Sequence, residues 1–209
     1  MYKRQGTWHI ENGDITISAG ESGNDVTQNN VTTKNDTNTI ITNENKDIAS
    51  SHTVTIDAGN DKVEVTLEDV NIKADSGSAL ISNGDVTLTL KGDNSLTGGI
   101  SGNGSGRNGI ASSGSLTISG GEKDSLTAQG GNGGDGIYGG DGITSSGSLT
   151  ISGGTVTATG GDSTSSVGSG DVYKRQVLRS SSLPTRERAL PLGLPALAVS
   201  SRLPDRSMS

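Results

Sequence analysis

Two aspartates in a glycine-rich segment have the surroundings of a calcium site. The stretch from Gly130 to Tyr138 fits the nonapeptide pattern G-G-x-G-x-D-x-U-x, in which consecutive turns share Ca²⁺ ions. Asp135 and Asp141 supply the hard carboxylate oxygens that Ca²⁺ prefers. The next nonapeptide breaks the pattern, because Asp141 comes too early and Thr144 stands where an aspartate should. We expect no obligatory cofactor, with Ca²⁺ at Asp135 and Asp141 as one interpretation and a solvated turn as the other.

Tyr138 and Trp8 are the two aromatic side chains that could stack on a sugar ring. Such rings are the usual platforms of sugar-binding sites, and the only other aromatic residues lie in the terminal segments discussed below. Tyr138 belongs to the glycine-rich segment. Trp8 lies near the start of the chain, where the alternative role is to cover the first turn of a repeat. Any other glycan contact would depend on Asp, Asn and Thr side chains.

Catalytic groups show no recognisable arrangement. Hydrolysis of a glycan needs two carboxyl groups about 5 to 10 Å apart across a cleft, whereas Asp and Glu are scattered here over segments typical of turns. Elimination from a polysaccharide needs a basic residue, and Arg107 is the only arginine between residues 6 and 170. We predict a protein that is not an enzyme, with a fragment of a polysaccharide lyase as an alternative.

The composition leaves little material for a layered core. Of the 209 residues only 28% are hydrophobic, 33 are glycine, and Phe and Cys are absent. The lack of Cys excludes disulfides and Cys-based zinc sites, and no run approaches the roughly 20 apolar residues of a membrane helix. Residues 6–170 contain 20 Asp and Glu against 7 Lys and Arg, a net charge of −13. We therefore expect neither nucleic-acid binding nor membrane insertion.

The two ends of the sequence differ from its middle. Tyr-Lys-Arg-Gln occurs near the start and again at residues 173–176, and the second copy completes a translation of the transposase end sequence used in sequencing libraries. We therefore assign residues 1–5 and 171–176 to an adapter. Residues 177–209 are rich in Leu, Ser and Arg, hold all 4 prolines, and have the composition of an out-of-frame translation. We expect this tail to be disordered, with a native flexible linker as the alternative.

The middle of the chain contains an internal repeat. Residues 110–121 read Ile-Ala-Ser-Ser-Gly-Ser-Leu-Thr-Ile-Ser-Gly-Gly, and residues 143–154 differ from them at one position. A looser copy begins at Leu80, and the anchor glycine advances by 30 and then by 33 residues from copy to copy. Repeats of this length are typical of the coils of a solenoid.

Within each copy, apolar residues alternate with Thr, Ser or Glu, which predicts short strands. Stacking of these strands through right-handed crossovers gives an all-β fold, a right-handed parallel β-helix (β-solenoid), for residues 6–170. Regular coils are expected at residues 53–161, and an irregular first coil or an excursion loop at residues 6–52. The side chains expected to point inward are Val54, Ile56, Val63, Val65, Leu67, Val70, Ile72, Leu80, Val86, Leu88, Leu90, Leu96, Ile110, Leu116, Ile118, Leu126, Ala128, Ile143, Leu149, Ile151, Val156 and Ala158.

These repeats resemble those of bacterial surface proteins. Residues 132–137 and 149–161 are similar to glycine-rich repeats of large surface proteins of anaerobic Firmicutes, and residues 63–97 look like the core of parallel β-helix proteins labelled as carbohydrate-binding. The resemblance implies an extracellular or cell-wall location, binding of a polysaccharide or host glycan, and Ca²⁺ in some members. It indicates a non-catalytic, adhesin-like segment, with a purely architectural stalk as the alternative. A signal peptide and an anchor are then expected outside this sequence.

The last coil is expected to expose its face. No capping segment is visible before Gly170, and repeat proteins protect their terminal coils with caps. Unpaired strand edges associate readily with other strands. We therefore expect end-to-end self-association, or fraying, at this end of the solenoid.

Overall fold

The computed structural model describes residues 6–134 and 138–163, and the backbone of residues 176–179. A single turn of 3-10 helix lies at Ile10–Asn12 within these residues. Among the described residues, no helix has the length and apolar character to cross a membrane. The strands are β1 (Thr7–His9), β2 (Ile15–Ala19), β3 (Asn24–Gln28), β4 (Val31–Asp36), β5 (Ile40–Thr42), β6 (Val54–Glu68), β7 (Asn71–Lys73), β8 (Leu80–Lys91), β9 (Asp93–Thr97), β10 (Ile110–Ser112), β11 (Ser115–Gly120), β12 (Ser125–Gln129), β13 (Ile143–Ser145), β14 (Leu149–Ile151), β15 (Thr155–Thr159) and β16 (Gln176–Arg179).

The strands form a β-solenoid with about five turns, and the strands within each of its three faces stack in parallel. The first face holds β2, the first halves of β6 and β8, β10 and β13. The second face holds β1, β5, the second halves of β6 and β8, β11 and β14. The third face holds β7, β9, β12 and β15. The predicted all-β, parallel β-solenoid is confirmed, while its right-handed winding stays a prediction.

Like side chains lie above one another inside the solenoid. Val54, Leu80 and Ile110 are paired in register on the first face, and each is fully buried. Leu80 pairs with Ile110 and Ile110 with Ile143, so these coils are 30 and 33 residues long, as predicted. All the residues predicted to point inward, up to Ala128, are buried. Their removal from water is the main favourable contribution to folding in a protein with so few large side chains.

The last coil departs from the predicted burial. Leu149 is 37% exposed, whereas Leu116, its partner one coil earlier, is 1% exposed. Ile143, Ile151 and Ala158 are also only partly buried. The reason is that β13 and β14 have a strand neighbour on one side only among the described residues. The self-association expected for this end stays a prediction.

One buried position of the third face is polar. Asn94 is 1% exposed and stands in register with Leu126. Its Oδ1 accepts the backbone N–H of Val70 at 3.0 Å, and its Nδ2 donates to the carbonyl oxygens of Lys91 and Ser125, both at 3.2 Å. Because a buried amide is stable only when it is hydrogen-bonded, Asn94 ties the turn between β8 and β9 to the coils on either side.

The irregular N-terminal part combines both predicted alternatives. β2 and β5 belong to the first coil, while β3 and β4 form an antiparallel excursion between them. Asp36 closes this excursion. Its carboxylate is 1% exposed and accepts the backbone N–H groups of Gly6 and Asn38 and the indole N–H of Trp8, at 3.0 to 3.1 Å. The excursion and the start of the chain therefore share one buried anionic group.

A short strand lies in the tail for which disorder is expected. β16 pairs with β15 in the antiparallel direction, and the disorder expected for residues 177–209 as a whole stays a prediction. The outer edge of β15 offers unpaired backbone groups, and Val177 and Leu178 are of types that suit a strand partner. The other tail residues lie outside the described residues, as do residues 1–5 and 171–175, so the adapter assignment stays a prediction.

Replacing Asp36 with alanine should destabilise the N-terminal part, because the half-buried donors of Gly6 and Trp8 and the backbone N–H of Asn38 would lose their acceptor. We expect the free energy of unfolding of the Asp36→Ala variant to fall by about 3 kcal/mol. Urea denaturation followed by Trp8 fluorescence measures this loss. The matched control is Asp85→Ala, which removes an exposed carboxylate and should change stability by less than about 0.5 kcal/mol. Equal midpoints for the two variants would contradict this role of Asp36.

Candidate functional site

A groove of about 780 Å³ lies along the corner where the third face ends. Its lining includes a column of polar residues, Ser51, Lys73, Thr97 and Gln129. Lys73 pairs with Thr97 and Thr97 with Gln129, while Ser51 follows a residue that bridges the strand of Lys73. Each coil therefore contributes one side chain, at the strand spacing of about 4.8 Å. The groove runs along the solenoid axis past four successive coils.

The remaining lining residues differ in character. Asp75, Ile100 and Asn132 are exposed side chains, and Ile100 leaves 48% of its surface open to solvent. Buried glycines, among them Gly98 and Gly131, supply bare backbone between them. The groove thus offers hydroxyl, amide and charged groups beside the apolar side chains of Ile100, Ala49 and Ala74. This combination is suited to noncovalent binding of a polyhydroxylated ligand.

The glycines of the groove are required by close contact between backbones. A Cβ atom on Gly98 would overlap the carbonyl oxygen of Arg107, and one on Gly131 would overlap that of Gly99. Any side chain at these positions would therefore push apart the segments that form the groove. The pairs Gly98-Gly99 and Gly130-Gly131 directly follow the last residues of β9 and β12, where the chain leaves the third face.

Backbone hydrogen bonds link these segments into what we call the glycine network, the bonded series Gly99, Arg107, Gly131, Gly140 and Gly161. The N–H of Arg107 donates to Gly99 at 2.8 Å, and that of Gly131 donates to Arg107 at 2.7 Å. Gly140 donates to Gly131, and Gly161 to Gly140, both at 2.8 Å. Gly99 and Arg107 bracket one loop, and Gly131 and Gly140 bracket the next. Both ends of each loop therefore belong to the glycine network. The loop around Arg107 is held in place on one side of the groove.

The two predicted sugar-stacking residues lie outside the groove. Tyr138 is 84% exposed, and its carbonyl oxygen accepts the N–H of Gly106. Trp8 lies at the opposite end of the solenoid, packs against the first coil, and donates its indole N–H to Asp36 at 3.0 Å. The structure therefore does not bring Trp8 and Tyr138 together. The position of Trp8 fits the covering role, and a sugar contact at either residue stays a prediction.

The predicted calcium site is described only in part, because Asp135 lies outside the described residues. Asp141 is exposed, and its carboxylate accepts the hydroxyl of Thr144 at 3.1 Å. The backbone N–H of Asp141 donates to the side chain of Asn108 at 2.9 Å. No group of three His, Cys, Asp or Glu side chains that could hold a metal occurs in the described part of the chain. The calcium interpretation at Asp135 and Asp141 stays a prediction.

Most lysines of the solenoid are paired with a carboxylate. Hydrogen bonding to Lys34 lowers the pKa of Asp25, with further help from the backbone N–H of Asn35, and hydrogen bonding to Glu64 raises the pKa of Lys62. The ion pairs are Lys34–Asp25, Lys46–Asp69, Lys62–Glu64 and Lys91–Glu68, with N–O distances from 2.9 to 4.0 Å.

Sequence reasoning missed the groove residues. Thr97, Gln129 and Thr159 each end a strand of the third face and each precede a Gly-Gly pair, and this X-Gly-Gly pattern was the available signal. The glycine pairs were visible as turns, but the return of each loop against the next coil depends on contacts distant in sequence. Among the lining residues, all of which are described, Asp75 is the single carboxylate. The groove therefore does not show the carboxylate pair that glycoside hydrolysis needs.

Comparisons with known proteins identify no relative. No family model matches the chain, and neither the curated proteins nor the solved structures contain a significant match.

Substituting Gly131 tests the glycine network. Gly131→Ala should shift the backbone at the groove and lower the free energy of unfolding by about 2 kcal/mol or more, because overpacking forces the backbone to move. Gly102→Ala is the matched control, since nothing lies within 4 Å of its Cβ position. Hydrogen exchange at residues 98–109 should accelerate in the first variant and stay unchanged in the second. Unchanged exchange in both would show that the glycine network does not hold the groove.

Proposed function

We propose that this chain is a non-catalytic, carbohydrate-binding segment of a bacterial cell-surface protein, and that it binds an extended polysaccharide along the groove. The observation that carries the proposal is the column Ser51, Lys73, Thr97 and Gln129, with one polar side chain for each coil. A linear polysaccharide is the ligand whose hydroxyl groups repeat along a line in the same manner. The volume of about 780 Å³ lies within the range of small-molecule and oligomer sites.

The chemistry of the lining supports weak, extended binding. Amide and hydroxyl groups such as those of Gln129, Asn132 and Thr97 exchange hydrogen bonds with sugar hydroxyls, and Ile100 offers an apolar surface for a ring face. No aromatic residue is present among these lining residues. Affinity must then come from several modest contacts, which favours a polymer over a single sugar.

The surface location rests on the resemblance of the repeats to bacterial surface proteins. The absence of any charged residue from strands β10 to β15 agrees with a protein that presents hydroxyl groups outward. The purely architectural stalk remains the second candidate, since the glycine network and three continuous ladders form a rigid support. A polysaccharide lyase is the least supported, because Asp75 is the single lining carboxylate.

Affinity gel electrophoresis tests the proposal with the full chain and a panel of soluble glycans, including pectin and cellulose derivatives. At least one glycan should retard the wild-type protein. The double variant Gln129→Ala, Asn132→Ala should lose about ten-fold in affinity, through two hydrogen-bonding groups. Thr127→Ala, on the same strand but outside the lining, is the matched control. Failure of every glycan to retard the protein favours the stalk, whereas release of unsaturated uronates, seen by ultraviolet absorbance, favours the lyase.

Chain length gives an independent test of the axial groove. Three steps of about 4.8 Å separate the first and last residues of the column. Affinity for oligosaccharides of the bound glycan should therefore rise with length up to about four sugars and then level off. Calorimetric titration with a size series measures this dependence. A disaccharide that binds as tightly as a hexasaccharide would contradict binding along the axis.

A further inference from the structure

Lys73 is the lysine of the groove lining, and it has no carboxylate partner among the described residues, a property that it shares with Lys123. Lys34, Lys46, Lys62 and Lys91 each form an ion pair, but Lys73 forms none within the described part of the chain. It is exposed and lies in the middle of the groove column, between Ser51 and Thr97. Its ammonium group therefore remains available to a ligand in the groove.

We propose that Lys73 binds the carboxylate of an acidic polysaccharide and so sets the class of ligand that the groove binds, an inference that rests on the proposed function. A chain of net charge −7 repels anionic polymers at long range. Physiological salt screens exposed charges beyond about 8 Å. Recognition is thus decided by the charges inside the groove, where Lys73 is the single cation of the lining.

Asp75 is the other charged residue of the lining and follows Lys73 by two positions. The two side chains form no ion pair. Asp75 accepts the N–H of Ile100 through its backbone carbonyl at 3.2 Å, so its carboxylate is not consumed by that bond. Sugar hydroxyls donate to such a carboxylate, whereas a uronate carboxylate accepts from Lys73. The groove therefore offers Lys73 to the carboxylate of an acidic glycan and Asp75 to its hydroxyl groups.

The test compares polygalacturonate with its fully methyl-esterified form, which has the same backbone without the charge. Affinity of the full chain for both polymers is measured at low and at physiological salt. Lys73→Gln should reduce affinity for the acid form by about five-fold and leave the ester unaffected. Lys123→Gln is the matched control. Lys123 is exposed and outside the ion pairs, and it lies in the turn before β12, whereas Gln129 lies at the far end of that strand.

The outcomes separate this inference from the proposed function. A selective loss for the acid form in Lys73→Gln, with no change in Lys123→Gln, supports it. Equal losses in the two variants would show that the effect comes from the overall charge of the protein, and would overturn the inference. Wild-type binding of the ester that is as tight as binding of the acid also overturns it, while the glycan-binding proposal stands. If neither these polymers nor any glycan of the wider panel binds, both proposals fail.

Discussion

Direct contact between backbones at the corner beyond the third face is the constraint on which the groove depends. The loops that leave β9 and β12 return against the neighbouring coil at distances that admit no Cβ atom. Their N–H and C=O groups satisfy one another through the glycine network, as buried backbone groups must. Loops of ordinary composition would stand away from the corner and leave an open surface. The many glycines are therefore structural requirements of the groove as well as turn formers.

Regular alternation made the strands predictable, and long-range contacts made the rest unpredictable. Leu116 and Ile118 point inward because residues two positions apart in a strand lie on the same side of the sheet. Their partners in the next coil repeat this spacing. The partial exposure of Leu149 depends on what covers the last coil, and the local sequence pattern carries no information about that. The excursion closed by Asp36 was open to two interpretations, since its hydrogen bonds join residues 28 and 30 positions apart. The groove is a product of such distant contacts as well.

Charge is unevenly distributed along the solenoid. The outward positions of β6 to β9 carry Lys62, Glu64 and Lys91 among others, whereas strands β10 to β15 contain no charged residue. In that second half the described charged side chains lie in the connections, as Glu122 and Lys123 do. The groove crosses this boundary, with Lys73 on the charged side and Gln129 on the neutral side. The lining of the groove is thus charged on one side of this boundary and neutral on the other.

The stacking of coils also determines how the molecule responds to force. Strands lie across the solenoid axis, so the hydrogen bonds of the parallel ladders point along it and a tensile load acts on the interfaces between coils in series. A coil that detaches releases the 30 residues between Leu80 and Ile110, about 100 Å of extended chain. The remaining coils keep their own contacts, because each touches only its neighbours. Such a molecule lengthens in discrete steps under tension and dissipates work at each step.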